Sequence, residues 1–322
     1  MILLAGGYDL SEIVESVTWS GDTKQVSRTL SFTLANKHSD PYLPKAALNE
    51  GDTVLMRTDG GKELFRGVIF DIDVTAGSPT VSYLAYDLLY YLIQSDISRV
   101  FEASPEKVAE TVCGDLGIPF GSAAKTGISV YYPCIRKSAY EAIMAPYTQA
   151  SRQNGKKYIP VMERGALHII EMGKPCGILL DGGHNLLDAN YKTSMTKMVN
   201  RVVIVDSSGN QVGVVEDTAS RQKYGTIQKI CQQADGKDAF AEAGNMLAQI
   251  EQAATAKALS DDRIRAGYSI FVREPVTGLY GRFFIESDAH AFKNASQEVD
   301  ITLAFDCMMD EKEIQQNEGG SV

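Results

Sequence analysis

The sequence contains no CxxC pair, no GxSxG elbow, no HExxH helix, no Walker A loop and no GxGxxG turn. Each absence removes a class of chemistry. Five cysteines (Cys113, Cys134, Cys176, Cys231, Cys307) are odd in number and widely spaced, which fits scattered reduced thiols rather than a zinc site or a disulfide framework. Without the glycine loops nothing marks a nucleotide-phosphate cradle, and without the elbow or the zinc helix the common hydrolase signatures are missing. Positive charge is also short: 31 Lys and Arg face 41 Asp and Glu, a net charge of −10. Binders of duplex DNA or of anionic membranes need a basic face, so no specific nucleic-acid binding and no membrane insertion are expected. The longest apolar runs, Ile178–Leu180 and Val202–Val205, are far too short to cross a bilayer. The opening MILLAGGYDL lacks a basic n-region, so no signal peptide is expected.

What the chain does have is a repeat. Gly51 to Asp87 reads GDTVLMRTDGGKELFRGVIFDIDV, a turn, then TVSYLAYD; Gly267 to Asp306 reads GYSIFVREPVTGLYGRFFIESDAH, a turn, then EVDITLAFD. Aligning the glycines sets Val54 on Ile270, Met56 on Val272 and Arg57 on Arg273. A turn one residue shorter in the second copy then brings Leu64-Phe65 to Leu279-Tyr280. The copies close on Leu84-Ala85-Tyr86-Asp87 and Leu303-Ala304-Phe305-Asp306. Each predicts a three-strand meander of alternating apolar residues. Leu84 and Leu303 should face the same side of their sheets, with the extra residue before Leu303 taken up by a bulge or a shifted turn.

The expected fold class is α+β, mainly β: two related antiparallel β-barrel-like domains with an α+β middle region. Residues 1–88 form the first domain, with two strands around Ser20–Thr23 and a loop at Pro41 and Pro44. Residues 89–189 form the middle, its helical part at 89–126 and a helix plus strand pair at 127–189. There Pro105 and Gly117 bracket one helix and Ser138-x-x-Glu141 caps another, kinked or stopped near Pro146; strands flank Glu163-Arg164-Gly165. Residues 190–309 form the second domain, with a hairpin across Ser207–Asn210 and an inserted Ala-rich helix at 235–259. Residues 310–322 are polar and expected to be disordered.

Few residues suggest catalysis. Cys176 and His184 could be imagined as a nucleophile pair, but closeness in sequence is not geometry. Asp71 and Asp73 share a strand face as hydrolase carboxylates would, but a solvated strand face on an acidic protein is the preferred reading. His168 reads as a strand residue, Asp261-Asp262 as a loop, Asp59–Lys62 as a hairpin turn, and Asn294-Ala295-Ser296 as a sequon without meaning unless secreted. The tyrosines Tyr83, Tyr86, Tyr90 and Tyr91 suit core packing or a subunit contact. No catalytic, cofactor-binding or metal-binding residue is assigned, and no cofactor is expected.

The local wording SYLAYDLLYYLIQSD, SPEKVAETVCGDLGIP, KSAYEAI, KYIPVMERGALHII and NRVVIVDSSGNQVGVVEDTASRQKYG resembles baseplate hub proteins of contractile phage tails, in particular those of prophage-like tails and tail-like bacteriocins of Gram-positive bacteria. The resemblance covers nearly the whole chain and its motifs are structural, not catalytic. It implies a homotrimer whose two β-domains per chain form a pseudo-six-fold ring between tail tube and spike. Spike, tube or tube-initiator and other baseplate proteins are the implied partners, and a virion or tail-like particle baseplate, made in the bacterial cytoplasm, is the implied location. The other class considered is a tail-associated cell-wall hydrolase.

Overall fold

The computed structural model describes residues 1–35, 46–234, 236–293 and 296–314. The loop expected at Pro41 and Pro44, Asp235, and Asn294-Ala295 of the sequon lie outside the described residues.

The chain opens with β1 (Ile2–Ala5), β2 (Tyr8–Asp9), β3 (Val14–Asp22), β4 (Thr29–Ala35), β5 (Thr53–Arg57), β6 (Glu63–Val74) and β7 (Thr80–Tyr86). In β4, Leu30, Phe32 and Leu34 are buried and the residues between them are not, the period of a strand with one face in a core. That core gathers Leu3, Trp19, Phe32, Met56 and Ile69. β3 runs through Asp22, so the expected turn falls later, between Thr23 and Arg28.

Next come α1 (Leu89–Gln94), β8 (Asp96–Ala103), α2 (Pro105–Asp115), β9 (Phe120–Ala123), β10 (Val130–Ser138), α3 (Ala139–Asn154), β11 (Tyr158–Glu163) and β12 (Ala166–Glu171). Pro105 sits in the first turn of α2, and Ser138 accepts the Glu141 N–H at 3.1 Å to start α3. Of the kink or stop expected near Pro146, the stop does not occur: α3 continues to Asn154. Proline removes one helix N–H, but α3 is buried from Ala142 to Thr148, and packing outweighs the lost bond. β11 and β12 reverse through Arg164 (φ 52°) and Gly165 (φ 75°), the left-handed pair that suits hairpin twist.

β13 (Pro175–Asp181) and β14 (Leu186–Ser194) follow, then β15 (Arg201–Val205), β16 (Gln211–Glu216), α4 (Thr218–Tyr224), β17 (Gln228–Gln232) and α5 (Ala239–Met246), and finally β18 (Glu251–Leu259), β19 (Ser269–Glu274), β20 (Leu279–Lys293) and β21 (Ser296–Ala304). Residues 190–254 form a compact unit of their own, whereas 1–189 and 255–322 form another. In the smaller unit β15 pairs antiparallel with β16, the expected hairpin, and parallel with β17; Val202, Ile204, Ala239 and Ala243 share its core. The expected second domain at 190–309 therefore divides near residue 254.

The helix expected at 235–259 is corrected. Only Ala239–Met246 is helical, capped by Asp238, whose carboxylate accepts the Phe240 and Ala241 N–H groups. Glu251–Leu259 is a strand with Ala254, Ala256 and Ala258 buried on one face. Alanine favours helix in isolation, but propensity is weak and sheet pairing overrides it.

One sheet of 13 strands holds both repeats, in the order β14-β18-β21-β20-β3-β4-β7-β6-β5-β1-β2, with β19 joined to β20 and β13 to β19. The fold is mostly β, as the sequence led us to expect, and within this sheet β13 runs parallel to β19. Strand order itself repeats: β3-β4-β7-β6-β5-β1 in the first copy matches β14-β18-β21-β20-β19-β13 in the second. The counterpart of β3–β4 is thus β14–β18, not the β15–β16 hairpin.

The hydrogen bonds repeat too. Gly51 N–H donates to the Ile69 carbonyl at 2.9 Å, and Gly267 N–H to that of Ile285 at 3.0 Å; Ile69 N–H returns to Asp52 and Ile285 N–H to Tyr268. Leu55 pairs with Arg66 and Phe271 with Arg282, so Arg282 answers Arg66 and no residue is lost in the turn. Both second strands bulge at the same place, after Ile69 and after Ile285. Ile69 faces Ala85 and Ile285 faces Leu303. Leu303 therefore matches Ala85, not Leu84: Leu303 is buried and Leu84 lies on the half-exposed face. The shared Leu-Ala-aromatic-Asp wording is one residue out of register with the shared structure.

The start of the tail expected to be disordered is packed. Tyr140 Oη donates to Asp310 at 2.9 Å, Lys312 N–H donates to Thr148 Oγ1 at 3.0 Å, and Arg152 pairs with Glu311 and Glu313. Residues 315–322 lie outside the described residues. Among the described residues no helix is long and apolar enough to cross a membrane.

Candidate functional site

The two repeats meet where β3 pairs antiparallel with β20, from Asp22 opposite Ser287 to Ser16 opposite Lys293. Under that joint lies a buried polar cluster. The Asp288 carboxylate accepts Arg28 Nη1 at 3.1 Å and the Ala266 N–H at 2.6 Å, and Arg28 Nη2 closes a second bond. Burial alone would raise the Asp288 carboxyl, but the Arg28 charge and the bonds from Arg28 and His290 hold it below its usual range. The Arg28 guanidinium lies 4.1 Å over the Trp19 ring. Gly21 makes room for it, since a Cβ there would stand 2.3 Å from Arg28 Nη1.

His290 completes the cluster. Its Nε2 donates to the Ile264 carbonyl at 2.8 Å, its Nδ1 lies 2.7 Å from Ser260 Oγ, and its ring is 5.0 Å from that of Trp19. Ser260, His290 and Asp288 have the composition of a nucleophilic triad but not its arrangement. His290 is fully buried, both ring nitrogens are engaged, and the shorter Nε2 contact goes to a backbone carbonyl at 2.8 Å, with Asp288 at 3.4 Å. The cluster ties the loop before β19 to β20 and the β3–β4 turn.

That turn is fastened twice more. Thr23 N–H donates to the carbonyl of the bulged Glu286 at 2.9 Å, and Lys24 pairs with the Glu286 side chain. At its other end Asp87 accepts Ser27 Oγ at 2.9 Å, the Arg28 N–H at 3.1 Å and the Leu89 N–H at 3.0 Å. Burial pushes the Asp87 carboxyl up to about 7 despite those bonds.

The bulge is where the repeats differ most. Phe70, the counterpart of Glu286, packs its ring against Tyr86, Tyr90 and Tyr91, with Tyr86 stacked 4.3 Å from Tyr90. Tyr83 faces the other way and stacks on Phe32. In the second repeat the same ground, floored by Phe284 and Ala304 and rimmed by Lys24, Glu286 and Met308, is an open cavity of about 320 Å³.

The sequence-derived candidates do not converge. Cys176 is buried in β13, where burial pushes its thiol up, and the charged groups acting on it are Asp261 and Arg263. His184 lies in the turn after β13, its N–H bonded to the Asp181 carbonyl. Asp71 and Asp73 are both exposed at the end of β6. His168 Nδ1 lies 2.9 Å from Ser122 Oγ, and Asp261 holds Arg263. Among the described residues no group of three His, Cys, Asp or Glu is placed to hold a metal ion. Sequence reading missed the seam cluster, whose local trace is two polar residues, Asp288 and His290, two apart in a strand that also carries Arg282, Glu286, Ser287 and Lys293.

Residues 17–304 match the family model described as YQBQ-like. The phage-like element PBSX protein XkdQ of Bacillus subtilis (strain 168) is 26% identical over 312 residues, covering 91% of this chain and 93% of that protein. Among solved structures, the 43 kDa tail protein of prophage MuSo2 from Shewanella oneidensis superposes with a TM-score of 0.65 at 15% identity, over 94% of this chain and 97% of the other. An E. coli component of the type VI secretion system, described as similar to the bacteriophage T4 tail proteins gp27 and gp5, superposes with a TM-score of 0.55 at 9% identity, over 98% of this chain and 79% of the other. The solved structures share the fold, the family model shares the sequence pattern across almost the whole described chain, and the protein belongs to the YQBQ-like family.

Proposed function

We propose that this chain is the structural baseplate hub of a contractile tail or tail-like injection particle, a homotrimer whose six like β-parts form a pseudo-six-fold ring between the tail tube and the spike. The observation that carries the reading is the repeated strand order within one sheet, which gives each chain two like surfaces side by side. Three such chains offer six, the number a hexameric tube ring requires, while their true symmetry stays three-fold for a spike. The similarity to phage and prophage tail proteins supports the same reading. Partners would be the spike, the tube or its initiator, and neighbouring baseplate proteins. The chemistry asked of the chain is binding alone, and the Ser260–His290–Asp288 cluster, its His290 and Asp288 buried and its ring nitrogens engaged, suits a structural role. Light scattering on the purified chain with its spike, together with stoichiometry in purified tail particles, tests this. A three-fold assembly is expected; a stable dimer or tetramer in both would overturn it.

A further inference from the structure

The two repeats treat the ground beside their shared bulge in opposite ways. The strand pairs agree, Val68 facing Tyr86 in the first and Phe284 facing Ala304 in the second. After β7 the chain turns into α1, whose Tyr90 and Tyr91 lie with Tyr86 against Phe70. After β21 the chain is not helical; Asp310 and Lys312 fasten it to α3 instead. Counting on along the chain, Phe70, Tyr86, Tyr90 and Tyr91 are answered by Glu286, Ala304, Met308 and Met309. Four aromatic rings have no counterpart, and the cavity of about 320 Å³ is what remains. That volume lies at the lower end of the range for ligand pockets, about 300–1,000 Å³.

The lining is apolar with an acidic excess. Met172, Phe284 and Met308 are among its apolar residues, and Met308 is 64% exposed. Methionine sulfur makes favourable contacts with aromatic rings and adapts to the shape of a partner. Four acidic residues, Glu286, Asp306, Asp310 and Glu311, line the cavity against one basic residue, Lys24. Lys24 answers Glu286, Lys312 answers Asp310, and Arg152 and Lys157 answer Glu311. Asp306 is exposed and, among the described residues, has no ion-pair partner. Room for a ring and one unanswered negative charge thus occur at the same place.

We propose that this cavity is a docking site for a partner polypeptide, which inserts a Tyr or Phe side chain and sets a neighbouring Lys or Arg against Asp306. The ring takes the ground that Tyr86 and Tyr90 hold in the first repeat, and the cation complements the one free carboxylate of the lining. An aromatic anchor in a concave apolar site, with a charge at its rim, is the usual build of a protein-recognition hot spot. The first repeat fills its ground with side chains carried on a continuing backbone, and the second receives them the same way from another chain. Neither the trimer nor the ring enters this proposal, so it stands or falls separately from the hub reading.

Peptide binding to the purified full chain tests it. Acetyl-Gly-Tyr-Lys-Gly amide is titrated by ligand-observed NMR, beside the same peptide with Ala for Tyr or Gln for Lys, and beside tyramine. The parent peptide should bind saturably and the Ala peptide should not. The Gln peptide should bind about three-fold more weakly, the size of one exposed ion pair, and tyramine more weakly than the parent peptide. Ala304→Tyr, which restores the ring of the first repeat, should abolish binding while the thermal unfolding midpoint shows the fold kept. Asp306→Lys changes an exposed residue and decides the matter if Ala304→Tyr does not fold; it should weaken the parent peptide by at least about three-fold. No saturable binding to the parent chain, or binding unchanged by the substitutions, would overturn the site. Equal binding of the Ala peptide would overturn the aromatic occupant, and tyramine binding as tightly as the parent peptide would overturn the polypeptide one.

Discussion

Arg28 and Asp288 are 260 residues apart in sequence and form a buried ion pair at the joint of the two repeats. Arg28 belongs to the turn before β4, Asp288 to β20, and the pair lies beneath the strands that fuse two meanders into one sheet. With Ala266 N–H and His290 also on Asp288, the carboxylate has partners on three segments. A polar cluster of this kind fixes how the two halves register, since no shifted pairing of β3 on β20 would keep all of its bonds.

Breaking this pair from one side should cost more than removing it. Arg28→Met leaves Asp288 buried without its main counter-charge, and a destabilisation of about 3–5 kcal/mol is expected from the behaviour of buried pairs. Arg28→Met combined with Asp288→Leu should recover part of that loss, the residue being the unpaired Ala266 N–H and His290. Urea unfolding of the single and double variants measures it. Single variants within about 0.5 kcal/mol of the parent would show that the pair does not hold the joint.

Asp87 gives the fold a pH dependence of known sign. Its pKa rises from an ordinary 3.8 to about 7 on folding because burial disfavours the carboxylate. The folded chain therefore holds that proton more tightly than the unfolded one. The contribution is complete below about pH 4 and is lost as pH rises through 7, on the order of 4 kcal/mol across that window. Asp87→Asn should flatten the fall in stability between pH 5 and 8, while losing some stability at pH 5 because an amide offers fewer acceptors to Ser27, Arg28 and Leu89. Denaturation midpoints at several pH values decide it; an unchanged slope in the variant would assign the dependence elsewhere.

Much of the fold is legible in the sequence where the signal is local. The meanders, the β15–β16 hairpin, the Ser138 cap and the Pro105 start all rest on alternation or on a single turn of chain. Two features were hidden for physical reasons. The strand Glu251–Leu259 is rich in alanine, which has the highest helix propensity and too little side chain to advertise a strand face. The seam was hidden by the bulge after Ile285. Strict alternation from Ile285 would turn Ser287 and Ala289 inward; the extra residue reverses the phase and buries Asp288 and His290 instead. The Leu84–Leu303 alignment is out by one residue for a different reason: the bulge is common to both repeats, but the shared Leu-Ala-aromatic-Asp wording sits one pairing position apart, Ile69 facing Ala85 where Ile285 faces Leu303. Long-range partners such as Arg28 and Asp288 carry no local pattern at all.

Cys176 should behave as a packed residue, not as a nucleophile. Its thiol is buried and its pKa raised by that burial, and thiolate is the reactive form. Iodoacetamide at pH 8 should leave Cys176 unmodified in the native chain and alkylate it fully in urea, with mass spectrometry of the peptides as the readout. Alanine at His184, Asp71 or Asp73 should leave that protection unchanged. Rapid native labelling of Cys176, slowed by His184→Ala, would revive the nucleophile pair.

The equivalent glycines that open the two repeats separate backbone strain from crowding. Gly51 (φ 92°) and Gly267 (φ 88°) both sit in the left-handed half of backbone space and make the same bond to the second strand. An alanine at either place bears the conformational cost of that φ, about 1–3 kcal/mol. The surroundings differ. A Cβ at Gly51 meets nothing within 4 Å, whereas one at Gly267 stands 3.1 Å from Ile159 Cγ2 and 3.3 Å from its Cδ1. Ile159 is itself 5% exposed in the middle core, so its side chain has little room to retreat. Gly267→Ala should therefore destabilise by about 1 kcal/mol more than Gly51→Ala, the cost of modest overpacking. Ile159→Val in the Gly267→Ala background should return part of the difference and should return none in the Gly51→Ala background. Equal losses for the two alanines, with no effect of Ile159→Val on either, would mean that the second repeat is not seated against the middle region as these distances require.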